Sequence, residues 1–104
     1  MSLWVSKDMA ENTLHEALHK WAASKPTIKA LYIFGSYARG DARIDSDLDL
    51  AFEFADVDEA DAELICNARV WKAELTTLTG IIVKDLYLST AQPVTSGPTV
   101  CVFP

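Results

Sequence analysis

Two features are missing from this 104-residue sequence: the long apolar runs of membrane proteins and the cysteine-rich disulfide framework of many small secreted proteins. No stretch approaches the roughly 18 consecutive apolar residues that a transmembrane helix needs. The two cysteines, Cys66 and Cys101, form neither a metal-binding cluster nor a disulfide framework. The stretch 1–21 lacks the apolar core and cleavage site of a secretion signal. We therefore expect a cytoplasmic, reduced and soluble protein without a membrane partner.

Positive charge is in short supply. The 9 lysines and arginines are outnumbered by 15 aspartates and glutamates, which leaves a formal net charge of −6. Proteins that bind nucleic acid by neutralising its phosphate backbone normally carry the opposite balance. We therefore expect no general binding to DNA or RNA. An acidic chain remains compatible with a site that requires a cation.

Glycine and proline are also scarce, with four of each, and no linker, repeat or low-complexity tract divides the chain. Half of the residues are apolar, which is enough for one hydrophobic core at this length. We predict a single domain over residues 1–104 with its core at about residues 8–88. Residues 89–104 contain Pro93, Gly97 and Pro98, so we predict an atypical tail that is mostly loop, with a short edge strand at 100–103.

Helical and strand periodicities alternate along the rest of the chain. Apolar residues recur at helical spacing over residues 9–23 and 58–78. Strand-length apolar or alternating runs occupy residues 28–34, 48–54 and 81–88. Helix, strand, strand, helix, strand is an order typical of the α+β class. We predict a small mixed β-sheet with helices packed on it.

Two carboxylates, Asp47 and Asp49, stand where the second predicted strand begins. Side chains two residues apart in a strand point to the same side, with roots roughly 6–7 Å apart. Without a cation between them, such carboxylates raise a pKa or reduce stability. A Mg²⁺ ion held by carboxylates and substrate phosphates removes that conflict. Asp85, on the third predicted strand, is placed to complete a site for two ions, as used in phosphoryl or nucleotidyl transfer.

A phosphate-binding turn is predicted directly after the first strand. Gly35 lets the backbone approach a phosphate closely, and Ser36 adds a hydroxyl and an amide donor. Arg39 and Arg43 are placed to form charge-assisted hydrogen bonds with phosphate oxygens. Tyr37 either stacks near the nucleotide or fills the loop, and the sequence leaves both interpretations open.

These residues together resemble a known family. Gly35-Ser36, ten further residues and Asp47-Leu48-Asp49 match the G-S-x10-D-x-D signature of the polymerase-β-like nucleotidyltransferase superfamily. The stretch "GSYARGDARIDSDLDLAF" is similar to its smallest members, the minimal nucleotidyltransferases or MNT proteins, within a resemblance that covers about residues 30–88. The resemblance implies the nucleotidyltransferase fold, two Mg²⁺ ions and ATP as substrate.

The resemblance also implies roles for particular residues. Asp47 and Asp49 would be catalytic metal ligands. Asp85 would be the third catalytic acid and metal ligand, which helps to activate the attacking hydroxyl. Gly35, Ser36 and Arg39 would bind the nucleotide phosphates. Family members commonly continue into a further helix after the third-acid strand, whereas this chain continues into its proline-rich tail.

Many MNT proteins are encoded beside a HEPN-family ribonuclease, as antitoxin and toxin. The resemblance implies that this chain transfers AMP from ATP to a tyrosine of a HEPN-type partner. Some 100 residues leave no second domain to hold an acceptor, which fits a partner that brings its own surface. Two alternatives stay open: a non-catalytic binding or antitoxin subunit of the same fold, and a nucleotidyltransferase for a small hydroxylated molecule such as an aminoglycoside. The tail could also form a homo-oligomer contact.

His15-Glu16-Ala17-Leu18-His19 matches the zinc-peptidase pattern H-E-x-x-H. Its spacing places both imidazoles on one helix face. That face is rotated by about 100–160° from the apolar seam of the helix. The sequence contains no third histidine, and we interpret the pair as surface residues.

Overall fold

The computed structural model describes residues 7–104, which contain four α-helices and four strands. In chain order they are α1 (Lys7–Ala23), β1 (Ile28–Phe34), α2 (Ser36–Arg39), β2 (Asp49–Phe54), α3 (Ala60–Thr79), β3 (Leu86–Leu88), α4 (Gln92–Thr95) and β4 (Thr99–Phe103). A 3₁₀ turn at Val57–Glu59 leads into α3. None of the described helices is both long enough and apolar enough to cross a bilayer.

The four strands form one mixed sheet in the order β3-β2-β1-β4. β1 runs antiparallel to both of its neighbours, so that Phe34 pairs with Asp49 on one side and with Thr99 on the other. β2 and β3 run parallel, with Leu50 opposite Leu86. The near-continuous apolar run of β1 matches its central position, because a central strand is covered on both faces. The predicted α+β fold with a mixed sheet is confirmed.

The main core lies between the sheet and the helices α1 and α3. Leu18 of α1, Leu75 of α3 and Phe52 of β2 are all at most 1% exposed. Trp71 of α3 stacks on Phe52 with 5.6 Å between ring centroids, a contact worth about 0.5–1.5 kcal/mol beyond its buried area. Because side chains alternate along a strand, burial of Leu50 and Phe52 on this face leaves Asp49 on the other.

The opposite face of the sheet carries a second, smaller cluster. Val94 of α4 is 3% exposed and packs with Phe34 of β1 and Ala51 of β2. The tail, predicted to be mostly loop, therefore contains a helix as well as the predicted edge strand, which is confirmed as β4. The prediction of a loop was wrong for α4 because a single buried valine in a one-turn helix produces no periodic pattern.

The third strand is much shorter than its apolar run. A strand was predicted over residues 81–88, but only Leu86–Leu88 pair with β2 in the sheet. Within the preceding segment Ile82 is 58% exposed, whereas Val83 is buried. Asp85 therefore lies just before β3 and not in its middle. Hydrophobicity indicated an extended segment correctly, but it does not report where ladder pairing begins.

His19 joins α1 to β4. Its Nδ1 donates to the carbonyl oxygen of Val102 at 3.1 Å, and its ring meets Phe103 edge-on with 5.3 Å between centroids. The predicted surface position is thus only part of the description, because His19 also contacts the tail. β4 is held by pairing with β1 and by this contact with α1.

We expect Val94→Ala to lower the free energy of unfolding by about 2 kcal/mol, because it removes buried methyl groups and leaves a cavity. Chemical denaturation monitored by tryptophan fluorescence measures the change. Val57→Ala is the matched control, since Val57 is 81% exposed. Equal effects of the two substitutions would show that α4 does not stabilise the fold.

Candidate active site

The turn after β1 brings the backbone against a carboxylate. Gly35 has a φ of 74° and a ψ of −148°, a combination essentially confined to glycine. A Cβ at Gly35 would collide with Oδ2 of Asp49 and lie 3.1 Å from its Cγ. The residue after β1 therefore touches the first residue of β2. Glycine is needed here for both its φ angle and its missing side chain.

α2 follows this turn directly and carries two of the predicted phosphate ligands. Ser36, its first residue, is half-buried beside Gly35. Arg39, its last residue, donates from Nε to Oδ2 of Asp41 at 3.3 Å, and both side chains are largely exposed. Burial raises the pKa of Asp49, and the positive charge of Arg39 opposes that rise. Arg39 thus acts on Asp49 electrostatically while Asp41 binds its guanidinium.

The three predicted acids lie at the same end of β2 and β3. Asp49 begins β2, Asp47 precedes it by two residues, and Asp85 immediately precedes β3. The charges of Asp47 and Asp85 both raise the pKa of Asp49. The structure therefore brings together three carboxylates that are up to 38 residues apart in the sequence. Asp49 also contacts the Gly35 turn.

Burial is the largest cause of the raised pKa of Asp49, followed by repulsion from Asp47. Arg39 opposes the shift, and Asp85 adds to it. A raised pKa means that the folded protein holds this proton more tightly than the unfolded chain does. Ionisation of Asp49 therefore destabilises the fold as pH rises from the ordinary aspartate range through the folded pKa. A cation bound beside Asp49 would therefore stabilise the charged form of its carboxylate.

The donor chemistry of the three carboxylates fits Mg²⁺, which prefers hard oxygen ligands. Among the described residues, however, no three acidic, histidine or cysteine side chains are already arranged to hold an ion. The carboxylates are close enough to affect each other's charge but not arranged to bind one ion. Charges interact over several ångströms, whereas Mg²⁺–oxygen bonds span about 2 Å. Holding an ion therefore requires these side chains to close around it.

Sequence reasoning missed two residues beside the acids. Tyr87 lies two positions after Asp85 in the chain, and its pKa is raised by burial and by the charges of Asp85 and Asp49. The period-2 spacing from Asp85 was the available signal for its position. Lys84 forms an ion pair with Asp47, with Nζ 3.5 Å from Oδ2. No periodic pattern indicated that contact.

A cavity of about 680 Å³ lies on the side of the sheet that α1 and α3 cover. Its lining includes Leu14 of α1, Leu78 of α3 and Tyr37 of α2, but none of the three acids. Tyr37 also packs against the main core. Tyr37 therefore packs against protein and also lines an open cavity together with Arg39, so both interpretations of Tyr37 stay predictions.

We expect Gly35→Ala to lower the free energy of unfolding by about 1–3 kcal/mol, because its φ disfavours a side chain and its Cβ would strike Asp49. Urea denaturation of both proteins measures the difference. Gly97→Ala is the control, since a Cβ at Gly97 meets nothing within 4 Å, and we expect a change within about 0.5 kcal/mol. Indistinguishable variants would show that the Gly35–Asp49 contact does not constrain the turn.

We expect Asp49→Asn to increase the free energy of unfolding at pH 7 in EDTA-containing buffer, because it removes the destabilising charge. The gain should shrink as the pH is lowered through the raised pKa of Asp49, because the parent chain then takes up its proton there. Denaturation at a series of pH values measures the trend. Asp61→Asn, at an exposed carboxylate in the first turn of α3, should not reproduce it. A constant difference across the series would contradict the raised pKa.

Comparison with known proteins identifies the wider group to which this arrangement belongs. The family model of the polymerase beta nucleotidyltransferase domain matches residues 16–91. No protein in a search of curated sequences matches the chain significantly. The matched residues include β1, the Gly35 turn, all three acids and β3, and they make up more than half of the chain. The chain therefore belongs to the polymerase-β-like nucleotidyltransferase family.

Proposed function

We propose that this domain is a Mg²⁺-dependent adenylyltransferase that transfers AMP from ATP to a hydroxyl group of a protein partner. Family membership supports nucleotidyl transfer in general, and the nucleotide, the metal and the acceptor are the proposal's own content. The observation that carries it is the contact of Asp49 with the Gly35 turn, within electrostatic reach of Asp47 and Asp85. Acids for a cation and a turn for phosphates are thereby adjacent.

Asp47, Asp49 and Asp85 are the residues that would hold Mg²⁺ in this proposal, as one or two ions. The metal, when bound, would neutralise charge on the triphosphate and on the leaving pyrophosphate. Gly35 and Ser36 would contact the phosphates through the backbone and the Ser36 hydroxyl. Arg39 would exchange Asp41 for a phosphate oxygen, since guanidinium–phosphate pairs are among the stronger charge-assisted bonds.

The transfer itself breaks one bond and forms another. The acceptor oxygen attacks the α-phosphorus of ATP, the bond to the β-phosphate oxygen breaks, and pyrophosphate leaves. Asp85 takes the proton of the attacking hydroxyl, as an exposed carboxylate at the start of an edge strand can do. Most of the rate enhancement in such a reaction comes from positioning and charge stabilisation.

A protein acceptor is favoured by the exposed position of Asp85, which would receive the proton of the acceptor hydroxyl. α4 covers the sheet face around Phe34 and Ala51, whereas the end of the sheet that carries the acids is open to a partner. A partner that supplies most of the binding surface fits this arrangement. We propose a HEPN-type toxin as that partner in the cytoplasm, with this chain as the antitoxin. A homo-oligomer contact through the tail is compatible with the same role.

The alternative from another class is a non-catalytic subunit that neutralises its partner by contact alone. It is favoured by the absence, among the described residues, of three side chains already arranged for a metal. A third alternative is an enzyme for a small hydroxylated molecule, which would need a second subunit to complete the pocket. The three hypotheses differ in where a nucleotide label would end up.

With ATP labelled at the α-phosphate, Mg²⁺ and lysate of the source cell, we expect label to appear on a protein band. EDTA should abolish labelling, and with ATP labelled at the γ-phosphate the added domain should produce no labelled band beyond those of the lysate alone. Asp49→Asn should lower the rate at least about 100-fold, because it removes charge stabilisation made in the transition state. Asp61→Asn is the matched control and should retain the parent rate.

Each alternative predicts a different outcome of this experiment. Nucleotide binding without any transfer would favour the non-catalytic subunit. Label confined to the low-molecular-weight fraction would favour a small-molecule acceptor. Undiminished labelling by Asp49→Asn would falsify the assignment of the acids.

A further inference from the structure

Lys84 is positioned beside the acids by an irregularity at the edge of the sheet. Where Leu50 lies opposite Leu86, a regular parallel ladder would bring the Leu48 N–H to the carbonyl of Val83. The Leu48 N–H instead donates to the carbonyl of Ile82 at 2.9 Å. One extra residue is therefore accommodated between Ile82 and Leu86, as in a β-bulge. Lys84 and Asp85 both fall within this segment.

The extra residue allows neighbouring side chains to act on the same cluster. Lys84 Nζ lies 3.5 Å from Oδ2 of Asp47, while the Asp85 charge acts on Asp49. Consecutive residues of a regular strand would point to opposite faces. Among the described residues, the pair of Lys84 with Asp47 is the one ion pair that any of the three acids forms. Arg39, the other nearby cation, pairs with Asp41 instead.

The ion pair between Lys84 and Asp47 is also open to solvent. Lys84 is 69% exposed, whereas Asp47 is 33% exposed. Ion pairs of this kind contribute only about 0–1 kcal/mol, so a stronger ligand of Asp47 can displace the ammonium. Lysine binds phosphate as a mobile point charge on a flexible stem. Lys84 can therefore exchange one anion for another within its reach.

We propose that Lys84 is a competing counter-ion of the acid cluster: a divalent cation must displace it from Asp47, and the released ammonium then binds the triphosphate. This inference rests on the proposed nucleotidyltransferase function and assigns to it a further positioning residue. Lys84 has opposite effects on two ligands, opposing the metal alone and supporting the nucleotide. A lysine with only a structural role would not give that combination.

The test measures binding of Mn²⁺ alone, followed by electron paramagnetic resonance of the free ion, on the full chain. Removing the competitor in Lys84→Met should tighten Mn²⁺ binding about two- to five-fold, the factor that corresponds to a pair of this exposure. The dissociation constant for ATP, measured with Mg²⁺ present, should rise by a similar factor. Lys84→Arg should return both values toward those of the parent chain.

Lys29→Met is the matched control. Lys29 Nζ lies 3.4 Å from Glu53 Oε2, and Lys29 is 65% exposed, so the substitution removes the same charge from a similar pair of the sheet. Glu53 is not among the three acids. We expect Lys29→Met to leave Mn²⁺ and ATP binding within the error of the parent values. Equal effects of the Lys29 and Lys84 substitutions would overturn the inference, since net charge would then explain both.

Asp47→Asn separates failure of this inference from failure of the proposed function. If Asp47→Asn weakens Mn²⁺ binding but Lys84→Met leaves it unchanged, Lys84 is not a competitor and the metal site stands. If the parent chain binds no Mn²⁺, or Asp47→Asn binds it as the parent does, the proposed metal site fails together with the role of Lys84. Denaturation curves of all variants verify that each protein remains folded.

Discussion

The contact between the backbone of Gly35 and the carboxylate of Asp49 is the constraint on which the rest of the site depends. β1 and β2 are antiparallel neighbours, and Phe34 pairs with Asp49, so the turn after β1 and the start of β2 must share one small space. A side chain at position 35 would occupy the place of the Asp49 carboxylate. The raised pKa of Asp49 follows from the same crowding, because burial is its largest cause.

The two faces of the sheet divide the work of the domain. On one face, α1 and α3 bury Phe52 and Trp71 in the main core and stabilise the fold. On the other, the second cluster stops short of the acids, which stay half-buried or exposed. Mutual repulsion of the carboxylates is therefore tolerated because the hydrophobic burial on the first face is independent of it. Residues of the site and residues of the core can therefore be substituted independently, as long as the side chains of β2 still alternate between the two faces of the sheet.

Much of this arrangement could be predicted from the sequence, and the remainder had no sequence signal. The strand Ile28–Phe34 was predicted with its observed bounds, because its near-continuous apolar run has the length of a strand and is flanked by Pro26 and Gly35. The grouping of Asp47, Asp49 and Asp85 was predicted from their places on neighbouring predicted strands, and the family resemblance implied the same set. The contact of Lys84 with Asp47 depends on an extra residue beside β3. The burial of Val94 depends on a one-turn helix. Both are tertiary effects that override local pattern.

The position of β4 has a consequence for how the molecule folds. β1 occupies the middle of the sheet, yet its partner on one side is β4, with Phe34 paired to Thr99. Closing so long a loop costs conformational entropy, and this cost comes before the hydrogen bonds between β1 and β4 can stabilise the sheet. During synthesis, one edge of β1 therefore stays open until nearly the whole described segment has emerged from the ribosome. An open edge on so apolar a strand is a template for unwanted association, and pairing with β4 removes it.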